Sequence, residues 1–317
     1  MLSMLQNAVR RCLRAVKSRP NSERPALAKA LDCALETIIM QFHIGPLGEA
    51  MTIRHEAASI FRQLCPGPPG APICLTLALQ HPLGSLRRFA QMDIVFSAIM
   101  DMPTLFRYVV AIPGSQPSNP FQSATAIQCD GIIQWLHGIP NEIILSLAKM
   151  KGMRQDGLTP NGEVVASLER EIHEMQPFSG PSSDRLRAII RFVLHECWRQ
   201  AAFIYLYMAV CGDPSDTPRV QESFGRYMRL LNGIKPGRLP DEFLILTLQF
   251  VFSAALRQPD REVIRQRVLG IYVRDRTYIA DNFVILLMDD SWSRADAEGR
   301  PAMWSDISMS RKRVLGL

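Results

Sequence analysis

His195 and Glu196 stand where a zinc-protease helix would begin its signature. That signature needs a second histidine four residues after the first, so that both imidazoles face one metal. Arg199 occupies the position, and the signature is absent. Cys197 follows His195 closely, but residues two apart on a helix point to different sides, which prevents a nucleophile–base pair. Asp289 and Asp290 have the composition of a carboxylate pair. Consecutive helical residues diverge by about 100°, so the two read as a surface feature near a helix C-terminus. His43, His55, His81, His137 and His173 are scattered among breakers and surface segments and suggest no metal cluster. No nucleophile elbow and no phosphate-binding glycine loop occur; Gly67-Pro-Pro-Gly70 has too few backbone donors to cradle a phosphate. These residues predict a protein that is not an enzyme, with no catalytic, cofactor-binding, metal-binding or DNA-binding residue and no cofactor.

The cysteines are Cys12, Cys33, Cys65, Cys74, Cys129, Cys197 and Cys211. The number is odd, the spacing wide, and no C-x-x-C occurs, which argues against a disulfide framework and a zinc site. The expectation is a reducing compartment and mostly buried thiols.

The element that would hold most of these residues is the stretch Ser183–Cys211. Ile189, Ile190, Val193, Leu194, Cys197, Ala201, Ile204, Tyr205 and Met208 recur at three and four, the spacing of a helix. Pro181 to Asp184 supply start signals, and Gly212 with Pro214 stops it. Apolar nearly all round, it is expected to lie buried at the centre of an all-helical domain, with Arg185, Arg187 and Arg191 keeping its first half partly wet. Met208, Tyr205, Tyr207, Trp198, Phe203, Phe243 and Phe250 would suit a small-molecule pocket, with core packing the plainer reading.

Elsewhere the spacing predicts helices to about Lys17, from Pro25 to the HIGPLG break, over 49–64, 86–100, 124–137, from 140 or 141 to 149 or 150, over 163–175, 218–231, 243–256, 258–273 and 278–292. Residues 151–162 read as a loop. ICLTLALQH, residues 73–81, is a short helix or strand, and residues 104–112 carry some β character. CPGPPGAP, residues 65–72, is the strongest punctuation in the chain, a domain boundary or a surface loop.

At 317 residues, 47% hydrophobic and 21% charged, the chain can bury a sizeable core. A net charge of +6 is too small to argue for nucleic acid. The longest weakly polar run, Phe243–Leu256, falls short of the ~20 residues of a membrane span. The first twenty residues carry five basic side chains and no acidic one, as a mitochondrial presequence does. A basic amphipathic surface helix explains them as well and is the preferred reading.

Several segments together carry a resemblance: ECWRQAAFIYLYMAVCG at 196–212, RVQESFGRYMRLLNGIKPGRLPDEFLIL at 219–246, DREVIRQRVLGI at 260–271 and GRPAMWSDI at 299–307. MPTLFRYVV at 102–110 and IIQWLHGIPNEIILSLAKM at 132–150 join them. In order and spacing the chain resembles the regulatory domain of fungal-specific transcription factors, basidiomycete type, over roughly residues 85–317. The tail DISMSRKRVLGL departs from the family's usual apolar run, and VRDRTYIADNF from its usual glycine-containing turn.

The resemblance implies an all-α fold, a single large multi-helix domain of packed antiparallel helices with little or no sheet, spanning 1–317 with a sub-boundary at 65–72. It implies a structural signature at Trp198, Arg199, Tyr205, Pro236, Pro240, Asp241, Arg300, Pro301, Trp304 and Asp306. It also implies a nuclear transcription regulator whose partners are the transcription machinery or a regulator protein, with a small-molecule effector open and no membrane. The family's binuclear zinc cluster uses two C-x-x-C pairs plus two further cysteines, and this sequence has none, so direct DNA binding by this chain alone is not expected. The alternative is a helical interaction scaffold or small-molecule-binding module without a transcriptional role, in the cytoplasm.

Overall fold

The computed structural model describes residues 2–17, 23–110, 139–175, 185–272 and 282–317. These residues form thirteen α-helices, one π-helical turn, one short 3-10 turn and two strands of two residues each. The fold is all-α, as the helical spacing and the resemblance both imply. The chain divides into two compact units: unit 1 comprises Met1–Asp93, Thr104–Gly131 and Leu317, and unit 2 comprises Ile94–Pro103 and Ile132–Gly316.

In unit 1, α1 (Leu2–Lys17) packs on α2 (Arg24–Ile44) and α3 (Leu47–Leu64). Val9 and Leu13, one helical turn apart, supply the buried face of α1, while Arg11 and Arg14 stay exposed. Arg10 lies between them and pairs with Glu49 at 2.9 Å and Glu56 at 3.4 Å. The α2–α3 connection is only Gly45 and Pro46, short enough to make the two helices neighbours. Residues 65–72 form a loop inside unit 1, closed by Arg62 donating to the Pro68 carbonyl.

The residues 73–81 contain both a strand and a helix: β1 (Ile73–Cys74) runs directly into α4 (Leu75–Gln80). β1 pairs in parallel with β2 (Tyr108–Val109), Ile73 opposite Tyr108. Asp93, on α5 (Gly84–Ile99), is fully buried and accepts from Arg54 of α3, from the Leu105 amide at 3.1 and 3.2 Å, and from the Tyr108 hydroxyl at 2.9 Å. A buried carboxylate persists only with such compensation. One charge pair thus ties α3, α5 and the β2 strand together, and no periodicity in the sequence announces it. Burial, helped by the Asp93 carboxylate, pushes the Tyr108 phenol well above its ordinary range.

Unit 2 contains α6 (Asn141–Gln155), α7 (Gly162–Glu174), α8 (Arg185–Ile204), the π turn (Tyr205–Val210), α9 (Pro218–Gly233), α10 (Arg238–Val251), α11 (Gln258–Tyr272), α12 (Phe283–Ala297) and α13 (Ser305–Leu315). α8 packs against α6, α7, α9 and α10, the central place its composition predicts. Gly212 ends the π turn at φ +79°, a left-handed conformation that glycine adopts without strain.

Several expectations change. The central helix is α-helical only to Ile204 and then widens to π. Its burial begins at Leu194: Ile189 and Phe192 are 60% and 57% exposed, so helical spacing overstated the buried face. α6 continues to Gln155, into residues read as a loop: the helix runs through Gly152, which keeps a helical backbone, and stops before Gly157 at φ +65°. Of six described thiols only Cys65 and Cys197 are fully buried, and Cys33 is exposed. α13 forms in the tail, beyond the last helix that the spacing predicts, 278–292. The helix expected over 124–137, the start of the one expected at 278, Cys129 and His137 lie outside the described residues.

Candidate functional site

The signature residues of unit 2 fall into one aromatic cluster and three charged latches. Trp198 and Tyr205 are seven apart on the central helix and therefore share a face; each is fully buried. Phe250 of α10 lies between them, edge to face with Trp198 at 5.8 Å and with Tyr205 at 5.7 Å between ring centroids. Trp304, just before α13, completes the group, 5.1 Å from Tyr205 at 84° between ring planes and 6.1 Å from Phe250. Edge-to-face pairs of this kind add about 0.5–1.5 kcal/mol each beyond the area they bury. Trp304 thus docks the tail into the core, despite the polar character of the residues that follow it.

Asp306 is the first latch. Its carboxylate accepts from Arg300 at 2.7 and 2.8 Å, from Arg294 of α12 at 3.0 Å, and from the Met303 amide at 2.8 Å. Arg294 also donates to the Asp306 carbonyl at 2.8 Å, to Ser310 at 2.9 Å and to Asp290 at 3.0 Å. Burial raises the Asp306 carboxyl, but the hydrogen bonds from Arg300, Met303 and Arg294 outweigh it and hold the group below its ordinary value. Pro301 sits in the extended link, its carbonyl accepting from Arg300 at 3.1 Å. Ser215 joins the link to the end of the π turn's loop, exchanging backbone and side-chain bonds with Ala302 at 2.9 Å.

The second latch is Asp241, which opens α10. It accepts from Arg267 of α11 at 2.7 Å and from the Gly237 amide at 3.1 Å. Arg267 also donates to the Leu231 carbonyl at 2.7 Å and to the Ile234 carbonyl, closing the end of α9. Pro236 is exposed in the α9–α10 connection, outside the cluster and the latches, and Pro240 lies in the first turn of α10. The third latch is Arg199, paired with Glu196 at 2.5 Å and donating to the Met175 carbonyl at 2.6 Å. Glu196 thus holds Arg199 at the edge of the core.

Three contributors lay outside the sequence reading. Arg267 and Arg294 are not marked out by spacing or motif, and both are nearly buried. Arg154 is the third: it pairs with Asp101 at 2.8 and 3.0 Å and donates to the Ala209 carbonyl in the π turn. Asp101 holds φ +46°, the only described non-glycine residue in the left-handed region. The available signal was the short MPT break after Met100, where the chain has to reverse.

The chemistry of these groups is structural. Burial pushes the Cys197 thiol up to about 12, the opposite of an activated nucleophile. Burial also raises the Tyr205 phenol, only partly offset by Arg154, and it raises Tyr207, which donates to Glu169 at 2.9 Å. Met208, Tyr205, Tyr207, Trp198, Phe203 and Phe250 are all buried, with Phe243 half-buried. Asp289 and Asp290 diverge as helical neighbours must: Asp289 meets Arg265 and Asp290 meets Arg294 and Arg313. Among the described residues no group of three or more His, Cys, Asp or Glu side chains could hold a metal ion, and no helix is long and apolar enough to cross a membrane.

Comparison with known proteins places these features in a family. A family model described as the fungal specific transcription factor domain matches residues 85–315. No curated protein and no solved structure matches the chain.

Proposed function

The chain belongs to the fungal specific transcription factor domain family, and from that premise we propose that it is a transcription regulator acting through a helical regulatory domain, without a zinc cluster of its own to read DNA. The observation that carries this reading is the family match over 85–315, which takes in the aromatic cluster and all three latches. The latches support a scaffold role: Asp241, Asp306, Arg267 and Arg294 spend their charge on one another and on helix ends. That leaves them unavailable as acid–base or phosphate-binding groups, so the reading is non-enzymatic. The sequence, with no C-x-x-C pair, lacks the ligand pattern of the family's binuclear cluster. The working place is the nucleus, and the partners are proteins of the transcription machinery or a regulator that carries the DNA-binding module.

The test is a tethering experiment. The full chain is fused to a heterologous DNA-binding domain and a reporter is read with matched sites upstream. The expected result is a change in reporter output that the same chain without the tether does not produce. An expressed, nuclear fusion that leaves the reporter unmoved in either direction argues against a transcriptional role. Sequence-specific duplex binding by the purified, untagged chain argues against the absence of a DNA reader.

A further inference from the structure

In unit 1, His81 ends α4 and meets more donors than its ring has acceptors. The Leu83 amide donates to its Nδ1 at 3.0 Å. The Arg24 guanidinium, reaching from the start of α2, sets Nη2 3.3 Å from its Nε2. A neutral imidazole accepts at one nitrogen and donates at the other, and a guanidinium only donates. With Nδ1 taken by the amide, Nε2 carries the proton, and two N–H donors face one another. The opposite tautomer moves the conflict to the Leu83 amide, and a protonated ring has it at both nitrogens. An acceptor beside Nε2 and Nη2, taking a bond from each, removes it.

The charge around the ring decides what kind of acceptor belongs there. Arg87, in the first turn of α5, donates Nη1 to the His81 carbonyl at 2.9 Å, and its Nη2 lies over Gly84, 3.8 Å from the point where a Cβ would stand. Arg24 holds the Leu64 carbonyl at 3.0 Å, and Arg62 holds the Pro68 carbonyl in the 65–72 loop. Backbone carbonyls orient these three guanidiniums without neutralising them. Among the described residues none of the three forms an ion pair; the α2 carboxylates Asp32 and Glu36 go to Arg88 instead. Cys65, which feels both Arg62 and Arg24, adds no counter-charge, because burial pushes its thiol up to about 11. The ring registers the excess: burial, then the charges of Arg24 and Arg87, hold the His81 imidazole below its ordinary value. The N-terminal end of α5, which opens just after His81, adds partial charge of the same sign. A water would supply the acceptor but not the charge. A phosphate brings up to two negative charges and three acceptor oxygens, which suits several guanidiniums better than a carboxylate does. We propose that Arg24, His81 and Arg87 form a surface site for a phosphate group, one oxygen accepting from Arg24 Nη2 and His81 Nε2 together, with Arg62 adding charge from beside Cys65. Arg24, Arg62 and His81 precede the residues matched to the family, so the inference stands independently of the transcriptional reading.

The test uses the full chain at fixed ionic strength, with chloride as the anion replaced. The probes are inorganic phosphate and a blocked glycine–phosphoserine–glycine peptide, with the unphosphorylated peptide as control. Affinity is read by calorimetry and location by the imidazole ¹⁵N shifts of His81, identified by their loss in His81→Gln. The expected result is saturable binding that moves the His81 signals. Arg24→Gln weakens it by about tenfold or more, the loss of one charge-assisted bond, while Arg11→Gln, at an exposed arginine of α1, leaves it unchanged. Equal affinity for the two probes assigns a small phosphorylated molecule. Tighter binding of the phosphopeptide, absent without its phosphate, assigns a phosphorylated protein segment. The proposal is overturned if the parent chain binds neither probe saturably, if binding leaves the His81 signals in place, or if Arg24→Gln and Arg11→Gln weaken it equally, the mark of general charge attraction. The parent measurement needs no variant, and Arg87→Gln repeats the comparison if Arg24→Gln folds poorly.

Discussion

Replacing Asp306 with alanine separates the latch from the aromatic anchor beside it. The carboxylate is 1% exposed and holds two arginines and one amide. Arg300 is 31% exposed, so its bidentate bond counts as a partly solvated pair worth under about 1 kcal/mol. Arg294 is 10% exposed, and its charge-assisted bond is worth about 1.5–3 kcal/mol. It keeps Asp290, Ser310 and the Asp306 carbonyl as partners, which places the loss at the lower end of that range. The Met303 amide loses its cap for about another 1 kcal/mol. The expected total is about 3 kcal/mol, or a fall of roughly 6–12 °C in melting temperature for a unit of this size.

The assay is thermal and urea unfolding of the full chain followed by tryptophan fluorescence, since the described tryptophans Trp198, Trp292 and Trp304 all belong to unit 2. Repeating the substitution in an Arg294→Met background should cost less, because the Arg294–Asp306 bond is already absent there. A destabilisation below about 1 kcal/mol, or a full-sized loss undiminished in that background, would refute the latch as the source of stability.

Other outcomes follow from the same geometry. In unit 1, Arg54→Met should destabilise by about 3–5 kcal/mol, the cost of stranding a buried carboxylate, while the double variant Arg54→Met/Asp93→Leu is closer to the parent by urea titration. At position 101, where φ is +46°, both Asp101→Gly and Asp101→Ala lose the Arg154 pair, but the alanine variant should be less stable by about 1 kcal/mol because only glycine adopts that backbone freely. Equal unfolding midpoints would contradict this. In a native thiol titration with an aromatic disulfide at pH 8, Cys33 should react first and Cys65 and Cys197 only on unfolding, because burial holds their thiols at about 11 and about 12. Because the Asp306 carboxyl is held below its ordinary 3.8, its contribution is fully present above that pH and is lost as pH falls through the lower folded value. Asp306→Ala should therefore show a shallower acid limb than the parent in a pH series of melting temperatures.

The sequence alone determined the helical class, the central place of the 183–211 stretch and the family to which residues 85–315 belong. Those properties are local or cumulative: residue spacing, breaker positions and the order of several segments survive without knowledge of contacts. The seven-residue step from Trp198 to Tyr205 already put both rings on one face. What met that face was decided only by tertiary structure, because Phe250 and Trp304 arrive from elements 52 and 106 residues beyond Trp198. The same holds for charge. Arg54, Arg267 and Arg294 look like solvated arginines in the sequence, and their burial depends on carboxylates that lie 39, 26 and 12 residues away. A pair's value depends on the desolvation of both partners, and desolvation exists only once the chain has packed. The exposed Ile189 and Phe192 are the converse: helical spacing made them core residues, and no neighbouring described element covers them.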